Sequence, residues 1–152
     1  MATLETQHIF QGNLNKVFAA IGQYEKYSSY LPAVTSTRRL PPQVSGSNVA
    51  VRYELNLIKT FYYVLNMFEV EPNHIHWSLQ ESNIMTLNNG SWDFTADGDH
   101  RTKAIYRAEI KFKGLIPSKI TDQVIKSNVD GMFAGFQKLI DAYGGNDLGK
   151  QI

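Results

Sequence analysis

Three tyrosines, Tyr53, Tyr63 and Tyr106, fall within alternating or strongly apolar stretches, where a buried phenol needs a hydrogen-bond partner. His74 and His76 are two residues apart, which places both on one face of a strand. Two imidazoles on a face are half of a zinc site, but the further ligands are not evident, and alternation with Ile75 and Trp77 turns the pair toward solvent. No metal is therefore expected. His8 and His100 stand alone and suit solvent or capping roles. Glu54, Glu69, Glu71, Asp93 and Glu109 are the candidate general acids and bases, yet most lie on the polar side of alternating segments, where a solvated face explains them. There is no Gly-x-Ser-x-Gly elbow, no dinucleotide fingerprint and no phosphate loop, so no catalytic residue is assigned. Lys103, Arg107 and Lys111 alternate along one segment with Glu109 between them. Such a stripe is either a basic patch for an anionic surface or a wet sheet face matched by acids on its neighbour.

Composition narrows the classes further. The chain has 152 residues with 15 basic and 14 acidic side chains, a formal charge of +1 that argues against general phosphate-backbone binding. It has no cysteine, which removes disulfide scaffolds, thiolate nucleophiles, Cys-ligated zinc and iron–sulfur clusters. The length suits one domain able to bury a core without disulfides. The N-terminal residues lack a basic stretch followed by an apolar run, and no segment reaches the ~20 apolar residues of a spanning helix. A cytoplasmic location is the expectation. Eight Tyr and eight Phe are the unusual feature, and they need an address.

The elements that would position these residues are legible in order. Thr3 to Phe10 reads as a strand. Asn13 caps a helix carrying Leu14, Val17, Phe18 and Ile21, Gly22 ends it, and a second short helix spans Tyr24 to Tyr30 before Pro32. Strands follow at Val34–Leu40, Val49–Leu57, Thr60–Val70 and around Ile75–Leu79. Another runs from beyond Asn83 to Thr95, and a last one through Tyr106–Phe112, after the Asp97-Gly98-Asp99 turn. Pro117-Ser118 opens one long helix to about Tyr143, with Ile120, Val124, Asn128, Met132, Phe136 and Leu139 on its apolar stripe and Gly144-Gly145 as its stop. The fold class is α+β, with helices on one face of an antiparallel sheet. Residues 1–144 form a single domain and 145–152 a flexible tail. Gly131 and Gly135 lie inside the predicted helix, each disfavoured by about 1 kcal/mol against Ala, so either a ligand or a close neighbour fills the space they leave.

This order resembles the helix-grip fold of the START-like (SRPBCC) superfamily, in which a curved antiparallel sheet wraps a long C-terminal helix around a cavity. Local motifs resemble its polyketide cyclase/dehydrase and coenzyme-Q-binding branch: Tyr24-Glu25-Lys26-Tyr27 followed by Leu31-Pro32, Leu87-Asn88-Asn89-Gly90-Ser91-Trp92-Asp93-Phe94, and Gly114-Leu115-Ile116-Pro117 ahead of a helix with Met132, Phe133 and Phe136. The likeness runs from about Thr6 to Tyr143, and it identifies a branch better than a ligand.

The resemblance implies a hydrophobic small molecule, isoprenoid, polyketide or lipid-like, held between sheet and last helix. Tyr53, Phe61, Tyr63, Trp77, Trp92, Tyr106, Met132 and Phe136 then either line that pocket or form an ordinary core. Gly135 leaves room beside them. Asn128 supplies a polar contact, or else meets a water or a backbone group. No cofactor is implied. The same pocket would serve a cyclase or dehydrase. Some members of this branch contact the large ribosomal subunit, a role for which Lys103, Arg107 and Lys111 are the candidate surface.

Overall fold

The computed structural model describes residues 2–32, 34–56, 60–127 and 131–151. Its elements are β1 (Ala2–Gln11), α1 (Leu14–Ile21), a single 3-10 turn (Tyr24–Lys26) running into α2 (Tyr27–Tyr30), β2 (Val34–Leu40), β3 (Val49–Asn56), β4 (Thr60–Val70), β5 (His74–Ser82), β6 (Met85–Ala96), β7 (Arg101–Phe112), α3 (Ser118–Ser127) and α4 (Met132–Gln151). The strands form one curved antiparallel sheet in the order β1-β7-β6-β5-β4-β3-β2, so the chain's first strand pairs with its last. This is the α+β helix-grip arrangement expected from the sequence.

Alternation decides which side of the sheet is apolar. Along β7, Ala104, Tyr106, Ala108 and Ile110 are buried, while Arg107, Glu109 and Lys111 face water. Along β4, Phe61, Tyr63, Leu65 and Met67 share the inner face. Against that face pack Val17, Phe18 and Ile21 of α1, Ile120 and Val124 of α3, and Phe136, Leu139 and Ile140 of α4. Asn13 caps α1 as predicted, its side chain accepting from the Lys16 N–H at 2.9 Å. Gln137 ties α4 to the edge strand: its Oε1 accepts from Gln11 N and its Nε2 donates to Gln11 O, both at 2.9 Å.

The single helix expected from Pro117-Ser118 to Tyr143 is instead two. Gly131 stands between α3 and α4 with φ +74°, a left-handed conformation that glycine adopts without penalty and that ends an α-helix. The expected stop at Gly144-Gly145 is not made either, because α4 continues to Gln151. A glycine pair lowers helix propensity without forbidding the conformation. Asn128 lies outside the described residues.

Candidate functional site

Between the concave face and α4 is a cavity of about 830 Å³, its open mouth included, in which the centres of water molecules have about 80 Å³ to move. The sheet supplies most of the wall: Tyr53 and Leu55 from β3, Tyr63, Leu65 and Met67 from β4, Ile75 and Trp77 from β5, Asn88 and Trp92 from β6, Tyr106 and Ile110 from β7. Met132 and Phe136 of α4 close it from above, and Tyr24 and Tyr27 close one side. All lining residues are buried except Leu31 and Pro32, which therefore mark the mouth.

Of the residues predicted for a pocket, Tyr53, Tyr63, Trp77, Trp92, Tyr106, Met132 and Phe136 are brought together in this wall. Phe61 is buried on the same face but lies outside the wall, since inward alternation marks core and cavity alike. Gly135 is spent on packing. A Cβ there would stand 2.6 Å from the Tyr30 carbonyl oxygen and 2.8 Å from Leu31 Cδ2, so the missing side chain lets the end of α2 press on α4 and sets Leu31 at the mouth. Gly131 has no heavy atom near its Cβ position, and its need is conformational. Neither glycine is among the residues that line the cavity.

Among the lining residues that sequence reasoning left unassigned, three are polar: Tyr24, Tyr27 and Asn88. Tyr24 and Tyr27 belong to a predicted helix too short for periodicity to say which way they face. Tyr24 donates to Glu69 Oε2 at 2.6 Å, and Tyr27 donates to the Ile21 carbonyl. Asn88 and Gly90 fall within a predicted strand but were given no role, though their alternation with Trp92 and Phe94 was the available signal. Asn88 Oδ1 accepts from Trp77 Nε1 at 3.1 Å, and its Nδ2 donates to Met85 Sδ at 3.5 Å. Gly90 is the strand position over which the Trp77 indole lies.

The polar chemistry of the wall is almost entirely phenolic. Burial raises the pKa of Tyr53, Tyr63 and Tyr106 well above the ordinary phenol value. Burial raises Tyr24 as well, helped by its hydrogen bond to the Glu69 carboxylate. The tyrosines are thus neutral donors. Tyr24 and Tyr27 have protein acceptors, whereas the hydroxyls of Tyr53, Tyr63 and Tyr106 have none among the described residues. No carboxylate, imidazole, amine or guanidinium lines the cavity among those residues.

The histidine pair and the basic stripe lie on the convex face, whereas His8 stacks on Phe133 of α4 at 4.6 Å. His74 Nδ1 is 2.7 Å from Asp93 Oδ1, His74 Nε2 is 3.1 Å from His76 Nδ1, and the His76 ring stacks on Phe68 at 4.6 Å. Arg107 donates to Glu5 at 2.7 Å and to Asp93 at 3.0 Å, so the stripe with Lys103 and Lys111 is interrupted by acids. No helix among the described residues is long and apolar enough to cross a membrane.

Comparison with solved structures finds the same architecture. The Zhui aromatase/cyclase from Streptomyces sp. R1128 superposes with a TM-score of 0.78 at 11% identity, covering 93% of this chain and 94% of that one. A START superfamily protein from Mycobacterium smegmatis gives 0.75 at 11% identity, over 91% and 97%. A protein from Thermus thermophilus gives 0.77 at 15% identity, over 93% and 98%. At such identities the likeness establishes the START-like fold. Among curated proteins none matches the sequence. The family model described as polyketide cyclase / dehydrase and lipid transport matches residues 1–142, nearly the whole cavity-bearing domain, and the chain belongs to that family.

Proposed function

We propose that this protein binds and sequesters an apolar small molecule, isoprenoid, polyketide or lipid-like, in the cavity between sheet and α4, and that it does so in the cytoplasm. The observation that carries the reading is the set of three buried tyrosines, Tyr53, Tyr63 and Tyr106, that line the cavity and whose hydroxyls make no hydrogen bond among the described residues. A ligand oxygen meeting one of these hydroxyls gains a hydrogen bond worth about 0.5–1.5 kcal/mol and fixes the ligand's orientation. The rest of the wall supplies affinity by burial, at about 25 cal/mol per Å² before the cost of association. The closeness of the cavity's walls suits a flat or slender molecule.

The lining supports holding over turnover. Its titratable groups are tyrosines held in the neutral form, and the nearest carboxylate contacted, that of Glu69, lies beyond the Tyr24 hydroxyl. A cyclase or dehydrase on this pocket would have to work from phenol donors alone. Native mass spectrometry of freshly purified protein, followed by solvent extraction, tests the reading. A co-purifying apolar molecule is expected, with quenching of Trp77 and Trp92 emission when it is returned to extracted protein. Unliganded protein whose emission is indifferent to quinones, polyketides, sterols and fatty acids alike would overturn it.

A further inference from the structure

Leu115 is 96% exposed, far more than any other large apolar side chain described. It does not hang on a loose loop. Ile116 N donates to Lys113 O at 3.1 Å, closing a turn, and Lys113 N donates to Ile84 O at 2.9 Å, anchoring that turn to the start of β6. Ile116 packs partly against the core. The turn therefore presents a leucine outward with nothing over it. Lys113 and Lys119 flank it, both exposed and without an ion pair among the described residues. The acids nearest in sequence are Glu109, on the outer face of β7, and Asp122, one turn into α3.

Strand registers place this turn at the end of the sheet that holds the cavity mouth. Phe112, the last residue of β7, pairs with Met85, the first of β6. At the same end, Asn56 of β3 pairs with Thr60 of β4, and Leu55 of β3 pairs with Val34, two residues past Pro32. We propose that the Leu115 turn docks on an anionic lipid bilayer, with leucine inserted among the acyl chains and Lys113 and Lys119 at the headgroups, and so brings the Leu31–Pro32 mouth toward the membrane. A single convex apolar tip is too small to form the core of a protein interface, while a deformable surface accepts it. The bracketing lysines add attraction to anionic lipid that falls off within a Debye length.

Sedimentation of the full chain with vesicles tests this, using phosphatidylcholine alone and phosphatidylcholine mixed with phosphatidylserine. Binding is expected to the mixed vesicles only and to weaken as salt rises. Leu115→Asn, and separately Lys113→Glu with Lys119→Glu, should each reduce partitioning by about fivefold or more. These side chains are exposed, and unchanged melting curves for the variants confirm that folding is not what is read. The proposal is overturned if the wild-type chain ignores the mixed vesicles or if the variants bind as it does. Leu115-dependent self-association without vesicle binding also overturns it, by assigning the tip to a protein contact. Vesicle binding requires no ligand, so failure of the cavity reading leaves this outcome readable.

Discussion

The indole of Trp77 occupies the space that a side chain on Gly90 would need: a Cβ at Gly90 would stand 2.2 Å from Trp77 Cζ2 and 2.6 Å from the Arg107 carbonyl oxygen. The two residues are register partners on β5 and β6. The tryptophan lies down across the strand beside it, where its Nε1 reaches Asn88. In Gly90→Ala one obstruction is a neighbouring strand's backbone and cannot swing away. We expect destabilisation of about 1–3 kcal/mol in urea melts, with a shift in tryptophan emission. Unchanged stability together with unchanged emission would refute the arrangement.

The unpartnered hydroxyls separate binding from stability. Removing one as Tyr53→Phe, Tyr63→Phe or Tyr106→Phe deletes no protein hydrogen bond among the described residues. Each variant should therefore melt within about 0.5 kcal/mol of wild type or slightly above it. Retention of the co-purifying molecule should fall about three- to tenfold for whichever hydroxyl meets it. Tyr24→Phe is the control. It breaks the 2.6 Å bond to Glu69 and should cost about 1–2 kcal/mol. If the Phe variants are destabilised as much as Tyr24→Phe, the three hydroxyls have acceptors within the fold.

Alkaline pH tests the same burial through linkage. Tyr24, Tyr27, Tyr53, Tyr63 and Tyr106 are all raised above the ordinary value of 10.0, chiefly by burial. The unfolded chain then loses phenolic protons at lower pH than the folded one. This contribution to stability is complete below pH 10 and is lost as the pH rises above it. Of the eight tyrosines, these five should ionise only with unfolding, so tyrosinate absorbance and loss of secondary structure should rise together. Smooth ionisation of all eight near pH 10 in an intact fold would contradict the buried placement.

The sheet was readable in the sequence because its face is written in a period of two, as in Ala104, Tyr106, Ala108 and Ile110. The same period found the aromatic part of the cavity's sheet wall, since concave-face residues are the wall wherever the helix stands off. It could not separate Phe61, which meets core, from Tyr63, which meets the cavity. Tyr24 and Tyr27 were legible as a short helix and a motif, but a 3-10 turn and a four-residue helix are too short for periodicity to show that they face the cavity. The helix break was hidden for the opposite reason: Ile120, Val124, Met132 and Phe136 keep helical spacing across Gly131. A glycine that interrupts a helix is spelled like one that merely weakens it.

That ambiguity can be resolved by substitution, because Gly131 and Gly135 are needed for different reasons. Gly131 has φ +74° and open space at its Cβ position, so its constraint is the backbone alone. Gly131→Ala should cost about 1–2 kcal/mol, and Gly131→Asn should recover part of it, since asparagine tolerates the left-handed region. Gly135 is helical and crowded, with the Tyr30 carbonyl 2.6 Å from where a Cβ would stand. There Ala and Asn should both be harmful, Asn the more so because it is larger, and either should push Leu31 outward and speed ligand release. Melting curves and release rates for the four variants check this. Equal tolerance of Ala and Asn at Gly131 would mean that the turn between α3 and α4 is not held in the left-handed conformation. Rescue by Asn at Gly135 would mean that α2 does not press on α4 there.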